Sequence, residues 1–493
     1  MLARLSGHLS RYAGASLLLT VASLISFPIL TRMFSVEQYG LLSYVGLVLT
    51  MLVGLAKLGM QHAAVRFRSE VETRGETGVN EYVATVIYGM ALAGLAVTLI
   101  WAGVSQVLPD AVWNHPLMKP LLLLTSSLVF LRTVESAFVN LLKADERSGA
   151  LGVFTVVRRY VELVVILLTL FFVSRTLVGF YVATIAVQVL GLAVLVVWYC
   201  RRQPVSLAAF SPGLLKTMLA YSIPMIGFEL ASVVLSLGDR YVIQSRLGAA
   251  DLGIYSAAYN LSDYIRIVLI TSVASAVMPV YLRLYEQEGE ARTLAFLGQV
   301  LHFYLLVAVP VVAGLAVVGE PLVALVASSK YAPGAAIIPW VMAGMALEGL
   351  LPVVGAALYI RKQSKVILKL VVIAAVVNIL ANLWLVPVYG IAGAAWATFG
   401  SYGLMLVLAL FASRGELRLA WPWLALCRFV GAALLMAWVL SVLSASVAFS
   451  APAFSLLAQV LLGTTVYGAL MFALDPEARR LWPFVLNRLK AMV

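Results

Sequence analysis

Little in this sequence is charged. Of 493 residues only 11% are Asp, Glu, Lys or Arg, against about 25% in soluble domains, and that shortfall excludes a soluble enzyme and a disordered chain, both of which depend on polar surface. Cysteine is scarcer still: Cys200 and Cys427 stand far apart and offer neither a disulfide framework nor a metal-ligand spacing. The four histidines (His8, His62, His115 and His302) are scattered. There is no G-x-x-x-x-G-K-[ST] phosphate loop, no H-E-x-x-H and no nucleophile elbow. Catalysis therefore has no residue set to rest on. No enzyme activity, metal or cofactor is expected.

What the chain has in abundance is apolar residues, 63% of the total, with a mean hydropathy of +1.01. At roughly 20 residues per spanning helix, this suffices for about 14 spans. Apolar runs separated by short polar loops place them at 12–34, 41–65, 83–108, 118–142, 150–174, 176–199, 217–240, 254–279, 294–318, 335–360, 366–388, 390–412, 424–446 and 455–474. The run after Arg11 is too long for a signal-peptide core and leads directly into further spans, so it reads as an uncleaved first helix. The net charge of +12 is mostly loop charge: Lys and Arg number 22 in the loops on the side of both termini and 5 on the other. That bias predicts cytoplasmic termini and removes nucleic acid from the expected partners. Leu2, Leu5 and Leu9 at one end, and Trp482, Val485, Leu489 and Met492 at the other, form stripes typical of helices lying in the headgroup region.

An internal repeat sets the architecture. Ser35–Val36–Glu37–Gln38–Tyr39–Gly40 follows the first span with Arg32 just before it, and Gly248–Ala249–Ala250–Asp251–Leu252–Gly253 follows the seventh with Arg246 just before it. An offset of six spans gives both halves the same membrane orientation, the parallel-repeat plan of two-lobed carriers. The expected fold is thus an all-α integral membrane protein of about 14 transmembrane helices. Its parts would be an N-lobe (1–216), a C-lobe (217–412) related to it by a parallel pseudo-two-fold, and two further helices with an amphipathic tail (413–493).

Charges inside spans are costly and usually face a cavity or a partner. In the first lobe Lys57 and Gln61 share a helix face with Thr50 and Gly54; Arg132, Glu135, Ser136 and Asn140 share another, and Arg158, Arg159 and Glu162 a third. Arg132–Glu135 and Arg158–Glu162 have the spacing of self-neutralising pairs, yet with Arg32 at the rim a positive surplus remains. The second lobe is acidic: Glu229, Asp239, Asp263 and a solitary Glu348 outnumber Arg240 and Arg266, with Asn260, Asn378 and Asn382 as neutral polar company. Asp239–Arg240 also suits an interfacial position, and Asp263–Arg266 a structural pair. Arg32, Lys57, Arg132, Arg158 and Arg159 are the candidates for an anion site, since the guanidinium fork suits phosphate oxygens. Glu229, Asp263 and Glu348 are the candidates for ion coupling, and Gln61, Asn140, Asn260, Asn378 and Asn382 for polar cavity lining.

Three segments carry a family resemblance. Ile29–Leu30–Thr31–Arg32–Met33–Phe34 with Glu37–Gln38–Tyr39–Gly40, Asp239–Arg240–Tyr241–Val242–Ile243 leading to Gly253–Ile254–Tyr255–Ser256, and Pro387 through Ala395 resemble signatures of the polysaccharide biosynthesis flippases. These belong to the superfamily of multidrug, oligosaccharidyl-lipid and polysaccharide exporters. Where many relatives have Gly-Pro, this chain has Ser35–Val36. The resemblance implies alternating access around a cationic cavity, with Arg32 the one basic residue carried over from a matching motif. It further implies an undecaprenyl-diphosphate-linked oligosaccharide as substrate, for O-antigen or exopolysaccharide synthesis. Membrane lipids, a repeat-unit polymerase and chain-length proteins are the partners it suggests. Competing readings are a cation-coupled small-molecule exporter on the same fold and a non-transporting component of a polysaccharide synthase.

Overall fold

The computed structural model describes residues 2–72, 75–267, 272–413, 417, 419–446 and 452–479. Among these the regular structure is helical, with no strand. The helices run α1 (Leu2–Met33), α2 (Val36–Ala56), α3 (Met60–Glu72), α4 (Gly75–Val107), α5 (Asp110–Trp113), α6 (Met118–Ala144), α7 (Ser148–Leu168), α8 (Leu177–Cys200) and α9 (Pro212–Arg246). They continue as α10 (Ala249–Arg266), α11 (Ser272–Glu288), α12 (Glu290–Val326), α13 (Ile338–Val354), α14 (Ala356–Ile360), α15 (Ser364–Tyr389), α16 (Ile391–Ala412), α17 (Trp423–Ser446) and α18 (Pro452–Leu474). The interfacial stripes expected at Leu2 to Leu9 and Trp482 to Met492 lie outside the described side chains and residues.

Among the described residues, 11 helices are long and apolar enough to cross a membrane, or 12 when the bent pair Pro212–Ile223 and Met225–Arg246 counts as one. The expected count was fourteen. The two that fall short are the fifth and eighth, and charge is the reason: α7 carries Arg158, Arg159 and Glu162, and α10 carries Asp251, Asp263 and Arg266. The middle of the eighth expected span, 268–271, lies outside the described residues.

Internal contacts divide the chain into two compact units, Met1–Gly253 and Ile254–Val493. α9, which the sequence puts at the head of the C-lobe, lies in the first unit. The core of that unit gathers Met60 and Ala64 from α3, Tyr82, Val86 and Met90 from α4, Phe138 and Leu141 from α6, Leu195 and Tyr199 from α8, and Met218 from α9. Ser35 starts α2 with a capping box: its hydroxyl accepts from Gln38 N at 3.1 Å, and its own N–H donates to Gln38 Oε1 at 3.0 Å. The two repeat segments meet. A Cβ on Gly40 would overlap the Ala249 carbonyl, and one on Gly253 would overlap the Val36 carbonyl, so both positions are confined to glycine by close backbone approach.

α7 has two unlike faces. Val153, Val157, Val161, Val164 and Leu168 are exposed at helical spacing, whereas Glu162, Leu163 and Ile166 are buried. An exposed row this apolar is suited to lipid, and it turns the charges of α7 inward.

In the second unit α12, 37 residues long with Pro310 and Pro321 within it, packs against α13, α17 and α18. The Tyr304 hydroxyl on α12 donates to Ala346 O on α13 at 2.6 Å. His302 Nε2 lies 2.8 Å from Asp475 Oδ2 just past α18, which fastens the end of α18 to α12. Between α12, α17 and α18 an apolar cavity of about 730 Å³ is lined by Leu306, Pro310, Val311, Met436, Leu440 and Val460 among others.

Candidate functional site

The charges of α6 and α7 form one cluster in the first unit, wired differently from the same-helix pairs their spacing suggests. Arg158 on α7 reaches two neighbouring helices. Its Nε sits 3.2 Å from Glu135 Oε1 on α6, an ion pair without the alignment of a hydrogen bond, and its Nη1 donates to Gln188 Oε1 on α8 at 2.8 Å. Gln188 Nε2 in turn donates to Glu135 Oε2. Glu135, Arg158 and Gln188 thus close a ring across three helices, with Glu135 and Gln188 both buried. Arg159 lies 3.4 Å from Glu162 Oε2 and donates to Ser23 Oγ on α1 at 3.5 Å.

Arg132, one turn before Glu135, is the exception. It is half-buried and has no hydrogen bond or ion pair among the described residues. The ionisable groups around it are Glu162, Arg158, Tyr181 and Glu135. Three arginines face two glutamates, and the ring consumes one of each. Of the three, Arg132 alone has no direct bond among the described residues, with Glu162 and Glu135 acting on it only through space. Gln188 was missed in the sequence because a lone amide in the apolar helix α8 has no period to announce it.

The other first-unit candidates are dispersed. Arg32 is exposed near the end of α1, and its Nη1 donates back to Pro28 O at 3.1 Å. Lys57 caps the end of α2. Gln61 Nε2 on α3 donates to Glu229 Oε2 on α9, and the α-carbon of Gly54 on α2 faces Glu229 Oε1. The structure thus brings Gln61 and Glu229 together, both in the first unit. Asn140 is buried and donates to Ser136 Oγ at 3.2 Å along α6.

In the second unit Glu348 is not solitary. Arg266 Nη1 lies 3.4 Å from Glu348 Oε2 on α13, while its Nη2 lies 2.7 Å from Asp263 Oδ1 one turn back. One guanidinium bridges two carboxylates, leaving one negative charge. Asn260 is half-buried on the same helix, α10. Asn378 and Asn382 have no accessible surface; Asn382 Nδ2 donates to Asn378 O at 2.8 Å and Oδ1 at 3.1 Å. Both lie on the buried side of α15. Among the described residues no group of three or more His, Cys, Asp or Glu is placed to hold a metal ion.

The first unit thus holds three arginines and two glutamates together on α6 and α7, and the second holds one arginine bridged by two carboxylates. Residues 11–285 match the family model described as polysaccharide biosynthesis protein. No curated protein matches the chain. Among solved structures, an inward closed conformation of the lipid II flippase MurJ is similar at TM-score 0.76 and 16% identity, covering 94% of this chain and 98% of its own. An inward-facing multidrug resistance MATE transporter of the MOP superfamily is similar at TM-score 0.68 and 13% identity, covering 80% of this chain and 94% of its own. A MOP superfamily transporter from Pyrococcus furiosus, described as having a binding pocket of reverse polarity, is similar at TM-score 0.56 and 14% identity, covering 83% of this chain and 93% of its own. At these identities the likeness is one of fold: a multi-pass membrane protein of the MurJ and MATE type.

Proposed function

The chain belongs to the polysaccharide biosynthesis protein family, and from that membership we propose that it moves an undecaprenyl-diphosphate-linked oligosaccharide from the cytoplasmic to the periplasmic leaflet, for O-antigen or exopolysaccharide synthesis. The observation that carries this reading is Arg132, a cation inside a membrane helix that makes no hydrogen bond or ion pair among the described residues. Such a charge is costly unless a ligand completes it, and a diphosphate presents the paired oxygens that a guanidinium holds best. Arg32, Lys57, Arg158 and Arg159 add positive potential; Gln61 and Asn140 offer donors and acceptors for sugar hydroxyls.

With no phosphate-loop motif, the driving force in this reading is an ion gradient or the membrane potential. Glu229, Asp263 and Glu348 are the coupling groups. A proton or cation arriving on Glu348 competes directly with Arg266 for that carboxylate, which would free Arg266 and bias α10 against α13. The protein would sit in the bacterial inner membrane with both termini cytoplasmic, beside a repeat-unit polymerase and chain-length proteins. The test is leaflet accessibility of a labelled lipid-linked oligosaccharide in proteoliposomes. Flipping by the wild type and its loss in Arg132→Gln supports the reading; undiminished flipping by that variant refutes the anion site.

A second reading, a cation-coupled small-molecule exporter, is favoured by the acid excess around Arg266. Gradient-dependent transport of a cationic dye by the purified protein would establish it.

A further inference from the structure

We infer that Gln188 is the positioning residue of the anion site: by holding Arg158 and Glu135 to each other, it leaves the charge of Arg132 free for the ligand. This rests on the anion-site reading above and extends it to a residue that touches no anion itself.

The geometry carries the argument. Glu135 and Arg132 lie three residues apart on α6, close enough to pair within one helix turn. They do not pair. Both Glu135 oxygens are engaged elsewhere, Oε1 beside Arg158 Nε at 3.2 Å and Oε2 accepting from Gln188 Nε2. The amide oxygen of Gln188 meets Arg158 Nη1 at 2.8 Å. A neutral side chain thus satisfies an acid with one end and a base with the other, and no charge is added. Gln188 is buried, at 1% exposure, so water does not substitute for it. The amide does this with separate donor and acceptor atoms: Leu would satisfy neither partner, Glu would oppose Glu135, and Lys would oppose Arg158.

Charge arithmetic then predicts the sign of every substitution. Gln188→Glu adds a carboxylate to the ring, repels Glu135 toward Arg132 and cancels the surplus. Gln188→Leu frees Glu135 to swing to Arg132, with the same consequence. Exchanging the two groups, in Glu135→Gln/Gln188→Glu, keeps one carboxylate and one amide around Arg158 and restores the surplus. A role in packing alone would respond to none of these signs.

The experiment measures inorganic pyrophosphate binding to the purified full-length protein in lipid nanodiscs, with thermal unfolding recorded for each variant. Expected are binding by the wild type, its loss in Arg132→Gln, weakening of about tenfold in Gln188→Glu and Gln188→Leu, and recovery in the exchange variant to within about threefold of wild type. If Arg132→Gln loses binding while Gln188→Glu, folded, binds like wild type, the role of Gln188 is overturned and the anion site stands. A folded exchange variant that fails to recover likewise overturns it. If the wild type binds no pyrophosphate, the anion site falls and Gln188 with it.

Discussion

Arg132 and Arg158 carry the same charge on neighbouring helices, but their partners differ, and so should the results of removing them. Arg158→Gln leaves Glu135 buried and facing only an amide; stranding one member of a buried pair costs about 3–5 kcal/mol. The variant should unfold at clearly lower temperature in detergent. Arg132→Gln breaks no bond among the described residues. Its thermal stability should stay within about 1 kcal/mol of wild type while flipping falls by about tenfold or more. If the two variants lose stability equally, the division of labour drawn here is wrong. This distinction was not legible in the sequence. Helix spacing shows only partners three or four residues away, whereas Gln188 lies 30 residues from Arg158 and 53 from Glu135. Glu348 looked solitary for the same reason, its guanidinium partner being 82 residues distant.

At the scale of elements, the two repeat segments were legible as a repeat but not as a contact. Neither Gly40 nor Gly253 has a left-handed backbone to mark it; the demand for glycine comes from a carbonyl on the other segment. Gly40→Ala and Gly253→Ala should each destabilise by about 1–3 kcal/mol, the range for overpacking a tight contact. Since one separation of α2 from α10 relieves both overlaps, the double variant should cost less than the sum, which a double-mutant cycle by thermal unfolding measures. Ser35→Ala, by contrast, removes one cap and should cost about 1 kcal/mol, independently of partner helices. Asp475→Asn should loosen the end of α18 from α12, read as faster amide exchange confined to α17 and α18.

For the whole molecule, the membrane class and the family could be read directly, because both rest on composition and on short local motifs. The span count could not, since α7 and α10 each carry three charges that take them out of the apolar pattern of a span. The proposed topology predicts that cysteines introduced at Arg202 and Lys365 stay protected from a membrane-impermeant thiol reagent in intact cells, while those at Arg175 and Lys330 react. The coupling proposal predicts that Glu348→Gln flips at a rate independent of the imposed ion gradient; retained gradient dependence would remove Glu348 from the mechanism. There is also a consequence for how the protein is made. Each arginine at a helix centre opposes insertion by roughly 2.5–3.5 kcal/mol, and α7 carries two, beside Glu162. Its valine row faces lipid readily, but its other face requires Glu135 from the helix synthesised before it and Gln188 from the helix synthesised after. α7 is therefore a poor passenger alone. It should leave the insertion machinery only in the company of α6 and α8, so that the ring is assembled as the chain enters the bilayer.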